Sequence, residues 1–321
     1  MQVFFFEAFE EEAEQIRHFL PKHVEAGFSW KTIQEYGADA LPAPIISVRT
    51  QSAIPAEWAG QLDAILTRST GYDHLIAYRQ LTGTDVHCGY LPLYCNRAVA
   101  EQAMLLWMAL MRKLPQQMTN FRNFHRDGIT GSETEKKTLL VVGVGNIGSQ
   151  VARIGHGLDM NVLCVDTEEK FPEEEYVSIE EGLPQADVVV CAMNLTEENY
   201  GYFNYQLLKQ AKKGLILVNI SRGEQSPSTD LLKLLEEGHL AGVGMDVYIH
   251  EKELAVSLRE GKSSENPEVR ATLKMLEKPN VIFTPHNAFN TVEAVEKKAG
   301  ESVDQLLHYL QHGRFYATIP Q

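Results

Sequence analysis

A chain of 321 residues can bury two sizeable cores, because single cores seldom grow past about 250 residues before splitting, so two domains are expected. With 44% hydrophobic and 22% charged residues it has an ordinary globular composition, and no apolar run approaches the roughly 20 residues that a membrane span requires. A formal charge of −14 repels phosphate backbones, which argues against nucleic acid and leaves any anionic ligand to local arginines and helix N-termini.

The first residues carry no basic n-region or small-residue cleavage site, so Val3 to Phe6 reads as a strand rather than a signal peptide, and the chain is expected in the cytoplasm. Residues 44–48 form a second strand candidate, with helical stretches between, so the first hundred residues make a smaller α/β unit. The cysteines, Cys88, Cys95, Cys164 and Cys191, lack CxxC spacing, which suits buried reduced thiols better than disulfides or a metal site. Residues 99–114 are apolar almost all round, so a helix there must be buried on more than one side. Core packing alone, or core packing plus the interface of a homodimer, satisfies that demand.

From residue 138 onward, apolar runs of about five residues recur between helix-length segments: 138–142, 161–165, 187–191, 215–219, 242–245 and 280–284. Six such runs are what a doubly wound parallel sheet covered on both faces requires. The acidic cluster at 173–175 reads as a solvated turn. After His286, Val292, Val295, Ala299, Val303, Leu306 and Leu310 fall at three- and four-residue steps and mark an amphipathic terminal helix.

The run 138–142 is followed at once by Gly143-Val144-Gly145-Asn146-Ile147-Gly148 and then by a helical stretch. Gly143 permits the tight turn, Gly145 lets the backbone approach a pyrophosphate, and Gly148 allows close packing of helix on strand. Asp166 ends the next strand, 18 residues after Gly148, where a carboxylate can accept hydrogen bonds from ribose hydroxyls. It would also repel a 2′-phosphate, so NAD is the expected cofactor.

Many dinucleotide-binding chains open with this motif, whereas here about 135 residues precede it. That order resembles the D-isomer-specific 2-hydroxyacid dehydrogenases, in which a substrate domain precedes the cofactor domain and is rejoined by the C-terminal helix. The resemblance implies a Rossmann domain, 99–290, inserted into a smaller flavodoxin-like α/β substrate domain, 1–98 plus 291–321. Its partner would be a small 2-keto or 2-hydroxy acid.

Asn219-Ile220-Ser221-Arg222-Gly223, Gly244-Met245-Asp246-Val247 and Thr284-Pro285-His286-Asn287-Ala288 all lie at carboxyl ends of strands, where the ligand crevice of an open α/β sheet forms. Oxidising a 2-hydroxy acid requires a cation for its carboxylate, a base for its hydroxyl proton and a nicotinamide facing the hydride. The planar fork of Arg222 fits the first need, and the imidazole of His286 the second. The resemblance places the partner of His286 five residues beyond Asp246, at Glu251, and sets Asp246 to tune Arg222 and seat the nicotinamide end. It also maps Met193, Asn194, Asn199, Ile220 and Ser221 to the cofactor, and Ser69, Thr70 and Gly71 to the substrate carboxylate. Arg49 and Phe289 resemble positions facing the substrate side chain. They point different ways, one to a second polar or anionic group, the other to an alkyl or aromatic one.

The chain departs from the family pattern at Ala192 and Asn194, at Glu224-Gln225-Ser226-Pro227, and at Ile249, His250 and Lys252. Two other readings share the scaffold. An NAD-sensing corepressor needs no catalytic set, and a formate-type dehydrogenase pairs its histidine with a glutamine, where this chain has Glu251.

Overall fold

The computed structural model describes residues 1–37 and 40–320. The chain divides into two compact units, Met1–Cys95 with Asn290–Gln321, and Asn96–Phe289.

The first unit is built on a five-stranded parallel sheet: β1 (Val3–Phe5), β2 (Ala26–Phe28), β3 (Ile45–Val48), β4 (Ala64–Thr67) and β5 (His87–Gly89), in spatial order β2-β1-β3-β4-β5. This is the flavodoxin-like order, in which the chain reverses its direction of travel between β1 and β3 and opens a crevice outside their carboxyl ends. Strands β1, β3 and β4 are buried throughout, with Phe4, Phe6, Ile46, Val48 and Ile65 in one core. The helices Glu10–Phe19 and Val292–His312 pack against each other within this unit. Strands β2 and β5 are edge strands of three residues, and Ala-Gly-Phe and His-Cys-Gly carry too few β-branched residues to announce themselves.

The second unit holds six parallel strands: β6 (Thr138–Val142), β7 (Asn161–Val165), β8 (Val188–Cys191), β9 (Leu215–Asn219), β10 (Leu240–Met245) and β11 (Val281–Phe283), ordered β11-β10-β9-β8-β6-β7. The first of them, β6, sits between β7 and β8, so the topological switch lies at its carboxyl end, where the glycine motif follows. All six expected strands are present, with shifted ends: β10 starts two residues early, through an irregularity at Leu240/Gly242, and β11 is shorter by a residue at each end.

The long helix differs from expectation. It runs Asn96–Met111, Lys113 turns left-handed at φ 52, and a second helix, Leu114–Asn120, starts with proline in its first turn. Leu106, Trp107 and Leu110 are buried while Leu105 is 52% exposed, so the helix is buried along one broad side rather than all round. Among the described residues no helix is long and apolar enough to cross a membrane. The turn at 173–175 is exposed at Glu173 and Glu175, but Glu174 is held against His156 at 2.9 Å.

Candidate active site

The glycine loop has the geometry that its sequence requires. Gly143 takes φ +91, and a Cβ there would lie 2.6 Å from the Met193 nitrogen; one on Gly148 would lie 1.9 Å from the Gly143 carbonyl oxygen. Gly145 by contrast would meet nothing within 4 Å, so the cradle is open at the glycine that has to let a pyrophosphate approach. Asn146 and Ile147 complete the turn, and the helix Gly148–Gly157 presents its N-terminus there. Asp166, one residue past β7, accepts from Val144 N at 2.5 Å through one carboxylate oxygen and from Thr167 N at 2.7 Å through the other. The acid therefore braces the loop at the edge where a ribose would lie.

Beside it, the exits of β8 and β9 are tied together. Ser221 Oγ donates to the Met193 carbonyl, and Gln225 Nε2 donates to the carbonyls of Met193 and Asn194 at 3.4 and 3.1 Å. Asn199 Nδ2 donates to Asn194 O at 2.7 Å, closing the turn after β8. Asn219 shapes the Arg222 turn: its side chain accepts from Ser221 N at 3.0 Å and donates to Arg222 O at 2.8 Å. Ile220 is buried under this turn, and the Arg222 guanidinium donates to Ser221 O at 2.9 Å. Gly223 is obligatory, since a Cβ there would sit 2.0 Å from the Tyr248 carbonyl carbon.

His286 follows β11 in a left-handed conformation, φ 52, one that histidine tolerates better than most residues. Its Nδ1 lies 2.9 and 3.1 Å from the two oxygens of Glu251, in the first turn of the helix Glu251–Glu260. An ionised carboxylate only accepts, so Nδ1 donates in this pair and Nε2 is left outside it. Both side chains remain about one-third exposed, at 31% each.

Asp246, expected to tune Arg222, bonds to the loop that follows β11. Its carboxylate accepts from Thr284 Oγ1 at 2.5 Å, Asn287 N at 2.9 Å and Ala288 N at 2.8 Å, and so fixes the loop that carries His286. Burial raises its carboxyl above the usual aspartate range, and these three donors pull the other way. Tyr248 does similar work unannounced by any motif, its buried hydroxyl donating to Met245 O at 3.0 Å and Thr284 O at 2.7 Å. Gln225 stood out in the sequence only as part of a departure from the family pattern and Tyr248 not at all, because their importance lies in which carbonyls their side chains reach. Phe289 ends this unit, half-buried three residues beyond His286.

The remaining sequence candidates lie in the first unit, at the carboxyl ends of the paired strands β3 and β4. Arg49 follows β3, its backbone N–H donating to Glu7 at 3.0 Å. After β4, Ser69 Oγ donates to Gly71 O at 2.7 Å, and Thr70 Oγ1 lies 3.4 Å from Cys95 Sγ. All four cysteines are buried, and burial pushes the Cys88 thiol up to about 11 and Cys164 and Cys191 to about 12.

Comparison with known proteins gives this geometry its family. Residues 104–288 match the model of the D-isomer specific 2-hydroxyacid dehydrogenase NAD binding domain. The chain belongs to the D-isomer-specific 2-hydroxyacid dehydrogenase family. This dehydrogenase is 32% identical over 273 residues to 2-hydroxyacid dehydrogenase A of Aspergillus oryzae, covering 84% of this chain and 75% of that one. It is 31% identical over 277 residues to a glyoxylate reductase of Pyrococcus furiosus, covering 82% and 77%. The D-lactate dehydrogenase of Aquifex aeolicus, solved with NAD and lactic acid, superposes with a TM-score of 0.85 at 27% identity over the whole of both chains. The enzyme is thus an NAD-dependent dehydrogenase with a Rossmann domain, and the open glycine cradle with Asp166 at its edge is a fit site for the dinucleotide.

Proposed function

We propose that this dehydrogenase interconverts a D-2-hydroxy acid and its 2-keto acid, with His286 as the acid/base, Glu251 as its partner and Arg222 binding the substrate carboxylate. The observation that carries the reading is the His286–Glu251 pair, closed at 2.9 Å at the carboxyl end of the sheet that bears the glycine cradle. NAD, bound through Gly143, Gly145, Asn146, Ile147, Gly148 and Asp166, supplies the hydride acceptor or donor. Met193, Asn194, Asn199, Ile220, Ser221 and Asp246 border that site.

In the oxidation direction His286 takes the hydroxyl proton at Nε2, and Glu251 stabilises the imidazolium so formed. In reduction the same nitrogen returns the proton to the carbonyl oxygen. The Arg222 fork holds the carboxylate in two parallel hydrogen bonds and thereby fixes which face of the substrate is presented. Ser69, Thr70 and Gly71 add donors to that carboxylate, and Arg49 and Phe289 face the substrate side chain.

The test is NADH oxidation by the purified protein with a series of 2-keto acids, and the configuration of the product. Turnover to D-products that falls by at least about 10³-fold in His286→Ala supports the reading, a loss within the range for removing a positioned acid/base. A fall of at least about 10²-fold in Glu251→Gln belongs to the same expectation. NADH binding without turnover on any keto acid overturns it and makes the protein a sensor.

A further inference from the structure

The turns that leave β8 and β9 meet through the side chain of one glutamine, at a place where packing alone does not ask for a polar group. Gln225 is 0% exposed. A methionine of similar volume would fill the space without burying an amide, whose desolvation has to be offset by hydrogen bonds. The amide has three. Its Oε1 accepts from Cys191 Sγ at 3.3 Å, and its Nε2 donates to Met193 O and Asn194 O at 3.4 and 3.1 Å. Neither carbonyl depends on Gln225 for a partner, since Met193 O also accepts from Ser221 Oγ and Asn194 O from Asn199 Nδ2. What the glutamine adds is therefore position rather than satisfaction of an orphaned group.

The amide is mounted on a held base. Its own backbone carbonyl accepts from Phe203 N at 2.8 Å, Glu224 O accepts from Gly201 N at 2.8 Å, and Ser226 Oγ accepts from Asn219 Nδ2 at 2.7 Å. On the far side of the tie, the 192–194 backbone forms a wall of the glycine cradle. Ala192 N donates to Val142 O at 2.8 Å, and a Cβ on Gly143 would lie 2.6 Å from Met193 N and 2.7 Å from Met193 Cα. The two turns touch backbone to backbone at the topological switch between β6 and β8, so a shift of Met193 passes directly to the first glycine of the cradle.

We propose that Gln225 is a positioning residue for the dinucleotide: it holds the Met193–Asn194 backbone in the form that NADH binds, so the site is set before the cofactor arrives. Such preorganisation acts on affinity, because a site that is competent for only a fraction of the time binds more weakly by that fraction. The inference rests on the cofactor bordering the 193–194 turn, as read above, and is independent of which keto acid is reduced.

The experiment measures the Kd of NADH by fluorescence titration of the full-length protein, wild type against Gln225→Met, with folding followed by thermal melting. The loss of both donated bonds is expected to raise Kd at least tenfold. Thr272→Val is the comparator: it removes a buried hydroxyl of the same unit that bonds Ser228 Oγ at 2.8 Å and Glu268 O at 3.0 Å, away from the cradle. It is expected to lower the melting temperature and leave Kd within twofold of wild type. A Gln225→Met protein that binds NADH as tightly as wild type, or a Thr272→Val protein weakened as much as Gln225→Met, overturns the proposal. Should Gln225→Met fail to fold, amide hydrogen exchange of the wild type decides: NADH is expected to slow the Gly201 and Phe203 amides at least tenfold more than those of the helix Pro267–Leu276, and equal slowing overturns the tie. Because binding is read without turnover, these failures leave the keto acid reading intact, whereas a protein that binds NADH and reduces no keto acid overturns that reading and not this one.

Discussion

Glu12 shows what one buried side chain does for this fold. Two cations share one of its oxygens, and all three groups are out of water. Burial alone would raise its carboxyl, but Arg68, Lys298 and Arg49 outweigh burial and hold it at about 2. Since this lies below its value of 4.5 in an unfolded chain, its stabilisation is complete above that pH and is lost as pH falls through about 2. Glu12→Gln leaves two buried cations facing a neutral amide, which is expected to cost about 3–5 kcal/mol near neutral pH. Urea unfolding measures it, and the gap between variant and wild type should close as pH approaches 2. A variant as stable as wild type at pH 7 would mean that water reaches the cluster.

At the scale of elements, the candidate site is made by turns leaving β9, β10 and β11, and each turn is held by its neighbour as well as by its own residues. Gly223 passes against Tyr248, Tyr248 reaches the carbonyl of Thr284, and Asp246 gathers the amides of Asn287 and Ala288. Gly223→Ala cannot be accommodated at 2.0 Å from backbone, so the Arg222 turn must move. The expected result is a rise in KM for the keto acid of at least about tenfold, because a misplaced fork loses a charge-assisted pair of bonds. Affinity for NADH should change less, because the glycine cradle follows β6 and only the Ile220–Ser221 border of the proposed cofactor site lies on the displaced turn. Equal losses in both would place the disturbance in the whole sheet.

These turns also explain what could be read before the structure. The glycine loop, Asp166, Arg222 and His286 were legible because backbone geometry or chemistry fixes their residue type at a fixed distance from a strand end. Glu251 came only with the resemblance, and its place beside His286 then followed in the fold. The bonds of Asp246 to Thr284, Asn287 and Ala288 were not foreseen, since a carboxylate at a strand end can serve a cation or a neighbouring loop with the same sequence signature. Strands of three residues such as β2 and β5 were missed because alternation cannot be seen over so short a run.

For the molecule as a whole, the second unit carries a segment of exposed apolar side chains that no catalytic role explains. Leu105 is 52% exposed, Met118 68%, Phe121 74% and Phe124 74%, and Leu105, Leu114, Pro115 and Met118 line a groove with Ile282. So many large side chains in water on one segment mark an interaction surface, and we propose that a second copy of the chain covers it in a homodimer. Two copies each bearing −14 repel one another, so the contact must draw on apolar burial. Replacing Phe121 and Phe124 by glutamate removes two aromatic anchors and adds charge at the same place. Sedimentation should then show the double variant at half the mass of wild type, with its NADH binding retained, because the glycine cradle lies on other turns. A wild-type protein that sediments as a monomer, or a double variant that keeps the dimer mass, would assign this face to something other than self-association.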